Sequence, residues 1–178
     1  MNEALVQLVL EAVKEQYVNE KAFYSNELGI SPQSWDRWKK GQQGLKYDNM
    51  QILSVLFTDY EWMLVRKVCR NAEIFPEVAA DPVAEYKQLK FHTATKWIQR
   101  GVATVEWRNA DKVQGIKKQH LTTLRISVNY GFWSYQDIIE LHLPSLVRQQ
   151  IESEKVTLLE WFDDYSKDTL QEIKAVTE

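Results

Sequence analysis

"LGISPQSWDRWKKGQ", residues 28–42, places two tryptophans three apart, with Arg37, Lys39 and Lys40 around them, between Gly29 and Gly41. Ser31 followed by Pro32 reads as an N-cap and the first helical position: the serine oxygen can accept an orphan backbone N–H, and proline has no N–H to orphan. Gly29 closes the preceding helix and Gly41 closes this one, because a helix commonly ends on a residue in the left-handed region that glycine enters freely. Trp35 and Trp38 share one side of the enclosed helix, while Gln33, Ser34 and Arg37 point the other way. A short helix so divided has one face for a core and one for solvent.

The flanking text supplies that core. Leu5, Leu8, Val9, Ala12 and Val13 form an i, i+3, i+4, i+7, i+8 stripe that predicts a first helix ending near Tyr17. "EKAFYSNEL" predicts a second helix with Phe23, Tyr24 and Leu28 inward, and "YDNMQILSVLF" a fourth. Thr58 with Glu61 three residues later is a capping box, opening a fifth helix that runs through Val68. Five short helices in about seventy residues make a compact all-α unit over residues 1–72. "NAEIFPEVAADPV" then breaks the periodicity with two prolines, which places a linker at 73–82.

Beyond it the period changes. A helix is expected from Val83 to Gln99, closed by Gly101. "VATVEWR" then alternates, Ala103, Val105 and Trp107 against Thr104, Glu106 and Arg108. "TLRISVNY" sets Leu124, Ile126, Val128 and Tyr130 on one face, and "DIIELHL" sets Ile139, Leu141 and Leu143 on one face. The "YGFWSY" connection makes the last two an antiparallel hairpin, Pro144 ends the third strand, and a final helix is expected from about Lys155 to Ala175. The predicted fold is therefore α followed by α+β: five helices, then a small antiparallel three-stranded sheet packed with helices over residues 83–178.

Composition narrows the class. The 178 residues carry a net charge of -3, so the chain as a whole is no polycation. One cysteine, Cys69, forms no intrachain disulfide or cysteine metal cluster, and a reducing cytoplasm is the expected setting. The N-terminus lacks the basic region of a signal peptide, and no apolar run reaches the length of a membrane span. His92, His120 and His142 have no metal-ligand spacing, and phosphate-loop, nucleophile-elbow and paired-carboxylate signatures are missing. No enzyme activity, metal or cofactor is expected.

The stretch from residue 20 to 57 resembles the helix-turn-helix of the Cro and phage-repressor family. There a turn glycine, a buried apolar residue six on, another nine on and a glycine twelve on recur, here Gly29, Trp35, Trp38 and Gly41, with Tyr24 upstream. Two positions depart from the pattern: Lys39 stands where the family usually has an acid, and the helix at "MQILSVLF" lacks a good N-cap. The resemblance implies binding of double-stranded DNA at a pseudo-palindromic operator. It puts Gln33, Ser34 and Arg37 at base edges in the major groove, and Lys21, Lys39, Lys40 and Lys46 at phosphates. Trp35 and Trp38 are then core, since this kind of readout does not intercalate indoles. Between Lys21 and Lys46 five cations face two acids, a local excess that fits a polyanion but also fits a solvated face on a helix-turn-helix that no longer binds DNA.

A second basic segment, Lys87 to Lys118, holds eight cations against two acids, and the chain after Gly131 holds ten acids against four cations. Either the two neutralise each other within the second half or they form a docking surface. Tyr130, Phe132, Trp133 and Tyr135 crowd the hairpin connection, more aromatic surface than a solvated turn needs, and mark a dimer or partner surface unless Trp133 folds back under the final helix. The layout also resembles the helix-turn-helix type of phage anti-CRISPR protein that inhibits type II-A Cas9. The stretches carrying this are "LFTDYEWMLVRKV", "TLRISVNYGFWSYQDIIELHL" and "TLLEWFDDYSKDTLQEI". That likeness implies a homodimer in a bacterial host cytoplasm, acting on a Cas9–guide RNA complex while its helix-turn-helix controls its own operon. The alternative is a dimeric repressor whose second half only dimerises or senses a ligand.

Overall fold

The computed structural model describes residues 3–109, 121–153 and 157–164. Helices α1 (Glu3–Gln16), α2 (Glu20–Asn26), α3 (Pro32–Lys39), α4 (Tyr47–Ser54) and α5 (Asp59–Asn71) come first. A one-turn helix α6 (Pro76–Ala80) and the long α7 (Pro82–Gln99) lead into strands β1 (Ala103–Asn109), β2 (Leu121–Asn129) and β3 (Gln136–Pro144), then α8 (Ser145–Glu152). Residues 158–164 are helical as well. The fold is mixed α plus β, with the helices mostly N-terminal and one antiparallel sheet in the order β1-β2-β3.

The helix ends follow from local chemistry. Ser31 caps α3 by accepting from the Ser34 amide, with Pro32 in the first turn. At the other end the Gly41 amide donates to Trp38 and the Gln42 amide to Arg37, two carbonyls the helix would otherwise orphan. Gly41 makes this possible at φ 71°, as Gly101 does behind α7 at φ 67°, where the Val102 amide reaches the Trp97 carbonyl. The α5 capping box forms in full, and α4 starts on Lys46 with no side-chain cap. Both helices α2 and α4 end two or three residues before the predicted point. Leu56 and Phe57 stay buried, but they sit in a turn that lets Thr58 adopt the extended backbone of an N-cap.

Two apolar clusters result. The first gathers the buried faces of α1 to α5, with Val78 of α6 and Tyr86 of α7. The second joins Phe91 and Ala94 of α7 to Leu124, Ile126, Ile139, Leu141 and Leu143 of the sheet and to Phe162. Helix α7 thus belongs to both, and the segment expected as a linker holds a helical turn started by Pro76, with Val78 buried. The strand alternation is as the sequence implied: Leu124, Ile126, Val128, Ile139, Leu141 and Leu143 are all buried on the α7 side. Register is continuous, Glu106 opposite Arg125 opposite Glu140, so no bulge redirects a side chain.

The two clusters are tied by a buried polar clasp. Glu61 and Lys90 are only 4% and 7% exposed, and their charges lie 2.8 Å apart. The second Glu61 oxygen accepts from the Thr58 amide as its capping box requires, while the first also accepts from the Glu140 amide of β3 at 2.8 Å. Lys90 donates to the Glu140 carbonyl at 2.7 Å and lies over the Tyr86 ring, 5.2 Å from its centre. The Thr58 hydroxyl donates to the Ile138 carbonyl. Side chains of α7, α5 and its N-cap therefore satisfy outward backbone groups in the middle of β3, covering part of an edge that would otherwise be open.

Candidate nucleic-acid and partner surfaces

Helix α3 is anchored from behind. Trp35 and Trp38 are each 1% exposed and stack at 4.7 Å between ring centres. Trp35 also stacks on Tyr24 and meets Phe23 edge-on, both at 5.9 Å, and its indole N–H donates to Glu20 at 2.6 Å. The tryptophans are core, as their spacing implied, and none of their ring surface is offered to a ligand. Because they sit three apart on one side of the helix, the opposite stripe is fixed in direction: Gln33, Arg37 and Lys40 are all exposed, at i, i+4 and i+7.

The other expected site residues divide. Lys21 and Lys46 are exposed at the starts of α2 and α4. Ser34 is half-buried, and its hydroxyl is engaged with that of Ser31 at 3.1 Å, so it serves the cap. Lys39 is held in an ion pair with Glu20 at 2.9 Å and with Asp36 at 3.4 Å. Partial burial works to raise the Glu20 carboxyl, but hydrogen bonds from Lys39 and Trp35 outweigh it and hold the group below the usual carboxylate range. Lys39 thus locks α3 to α2, a role the sequence showed only as an acid missing from its usual place. Gly29 takes φ 61° in the α2–α3 turn.

At the far end, the β2–β3 connection carries the four aromatics into solvent. Phe132 is 75% exposed and Trp133 84%, with Tyr130 and Tyr135 also exposed, so Trp133 does not fold back under a helix. The loop is nonetheless ordered by its own bonds: the Tyr130 amide to the Tyr135 carbonyl, the Tyr135 amide to the Phe132 carbonyl, and the Tyr130 hydroxyl to Asp137 at 2.7 Å. Trp133 and Ser134 both sit at positive φ, 55° and 58°, a region costly to residues with a Cβ. Replacing Trp133 with Gly is expected to raise stability by about 1 kcal/mol, read as a higher denaturation midpoint. A fall in the midpoint would mean that the indole supports the loop.

Of the basic segment 87–118, Lys87 pairs with Glu11 at 2.5 Å and Lys90 lies in the clasp, so these two cations are neutralised within the fold. Lys112, Lys117, Lys118 and His120, and the last helix beyond residue 164, lie outside the described residues. Burial first, and then Glu73, push the Cys69 thiol up to about 11, which leaves little reactive thiolate. No helix among the described residues is long and apolar enough to cross a membrane.

In comparisons with family models, with characterised proteins and with solved structures, none matches the chain.

Proposed function

We propose that this is a sequence-specific DNA-binding protein of the repressor helix-turn-helix type, acting as a homodimer, whose second half presents an aromatic hairpin to a protein partner. The observation that carries the first part is the stripe of Gln33, Arg37 and Lys40 standing in solvent directly opposite two fully buried tryptophans. Glutamine suits the N6/N7 edge of adenine and arginine the O6/N7 edge of guanine. Lys21, Lys40 and Lys46 supply phosphate contacts, which set register rather than sequence preference. Two such helices related by a two-fold axis read half-sites about one helical turn, roughly 34 Å, apart.

Selection from a random duplex pool tests this reading, with an inverted repeat as the expected outcome; failure to enrich any sequence overturns it. On the selected duplex, Arg37→Ala is expected to cost about 1–3 kcal/mol and to relax preference at one base position. Lys40→Ala should weaken all duplexes alike and flatten the salt dependence. Lys39→Ala should flatten it less, because that charge is already partly neutralised by Glu20 and Asp36. Equal losses on selected and random DNA for Arg37→Ala would contradict a readout role.

A second reading concerns the partner. The exposed Phe132 and Trp133, the latter held at positive φ, favour a protein-docking tip, and the likeness to anti-CRISPR proteins makes a type II-A Cas9–guide RNA complex the proposed target. Cleavage by a type II-A Cas9 is then inhibited by the purified protein and spared by the Trp133→Gly form. The double variant Gln33→Ala with Arg37→Ala loses the operator and keeps inhibition. Undisturbed cleavage in the presence of the wild-type protein leaves the plain dimeric repressor, in which the sheet half only dimerises or senses a ligand.

A further inference from the structure

We infer that the free edge of β1 is the self-association surface, pairing antiparallel with β1 of a second copy in a register centred on Trp107. This rests on the homodimer proposed above, but on neither its DNA nor its Cas9 target.

The direction of every backbone group in the sheet follows from the clasp. The Glu140 amide and carbonyl and the Ile138 carbonyl are taken by side chains of α5 and α7, so the even-numbered residues of β3 face away from β2. Its odd-numbered residues therefore bond to β2 through Leu124 and Ile126, which turns Thr123, Arg125 and Ser127 toward β1. Those three are opposite Arg108, Glu106 and Thr104. It follows that Ala103, Val105 and Trp107 aim their N–H and C=O groups out of the sheet. Among the described residues no hydrogen bond to them is seen, whereas on the opposite edge side chains take the Glu140 amide, the Glu140 carbonyl and the Ile138 carbonyl. Val105 is 39% exposed on this edge, an apolar side chain only partly covered.

Side-chain charge then selects both the occupant and the register. Glu106 and Arg108 project from the other face of the strand, half-exposed, with their charged groups 3.5 Å apart. Centring a two-fold pair on Trp107 puts each Glu106 directly opposite Arg108 of the second copy, in the closely spaced positions where cross-strand charge pairs act. Centring it on Glu106 or Arg108 opposes like charges, and centring it on Val105 sets the charges against Thr104 and Val102. An unrelated strand has no reason to match this pattern, whereas a second copy matches it by symmetry. The resulting six-stranded sheet has β3 as both its outer strands, whose Ile138 and Glu140 groups the clasp already takes.

Light scattering on the full chain at tens of micromolar is expected to return a dimer mass. Glu106→Arg places two cations on each edge and Arg108→Glu two anions, so each variant alone should dissociate at least about tenfold more readily. Mixing the two variants should restore the dimer as a heterodimer, because the cationic edge then meets the anionic one, and the double swap in one chain should restore it too. Unchanged far-ultraviolet circular dichroism in each variant separates this from misfolding. A wild-type dimer indifferent to both single changes, or a mixture that stays monomeric, overturns the β1 edge while leaving the homodimer. A monomeric wild type overturns both.

Discussion

Lys90→Met is expected to destabilise the protein by about 3–5 kcal/mol, although methionine nearly matches the lysine stem in bulk. The loss comes from what stays behind. Glu61, 4% exposed, keeps its bonds from the Thr58 and Glu140 amides but loses the cation 2.8 Å away, and burial leaves its charge poorly solvated. The Glu140 carbonyl loses its donor in the same step. Adding Glu61→Gln to Lys90→Met removes the stranded charge, so the double variant should be less unstable than the two single costs summed, by more than 1 kcal/mol in a double-mutant cycle. Denaturant unfolding measures it, followed by a probe in each half, since a chain with two clusters need not unfold in one step. A cost below about 1 kcal/mol for Lys90→Met would show that water reaches the pair and that the clasp is not dry.

The clasp also marks where the sequence stopped being legible. Features set by residues within one turn of each other could be read directly: Ser31 and Pro32 at the start of α3, Gly41 at its end, Thr58 with Glu61 as a capping box, and the alternation of Leu124, Ile126 and Val128. The capping box was correct yet incomplete, because the same Glu61 carboxylate also serves Lys90 and a strand edge 79 residues away, a relation no local pattern encodes. Helix α8 was missed for a different reason. It has no side-chain cap, and its inner face is only Val147, Arg148 and Ile151, all half-buried, too short a stripe to stand out after Pro144. For the candidate DNA surface, helical spacing alone separated Trp35 and Trp38 from Gln33 and Arg37. That Lys39 and Ser34 are spent inside the fold depended on Glu20 and Ser31, partners whose side-chain directions only the packed structure fixes.

Trp35→Ala is expected to cost about 3–5 kcal/mol, comparable to breaking the clasp but by another mechanism. The indole fills the space between Phe23, Tyr24 and Trp38, three aromatic contacts that no rotation of a neighbour can rebuild at once. Its N–H is also one of the two donors holding Glu20, the residue that ties Lys39 and hence the C-terminal turn of α3 to α2. Trp35→Phe separates the two contributions: most of the ring surface remains, the bond to Glu20 goes, and the expected cost falls to about 1–2 kcal/mol. The alanine variant should lose DNA binding too, but only because α3 is no longer held in place. At a temperature where it is still folded, it should bind selected and random duplexes with the same proportional loss. Gln33→Ala with Arg37→Ala should do the opposite, with stability within about 0.5 kcal/mol per site and a loss confined to the selected duplex. If Trp35→Ala were nearly neutral in stability and still abolished binding, the indole would have to meet the nucleic acid itself, and the two faces of α3 would be assigned the wrong way round.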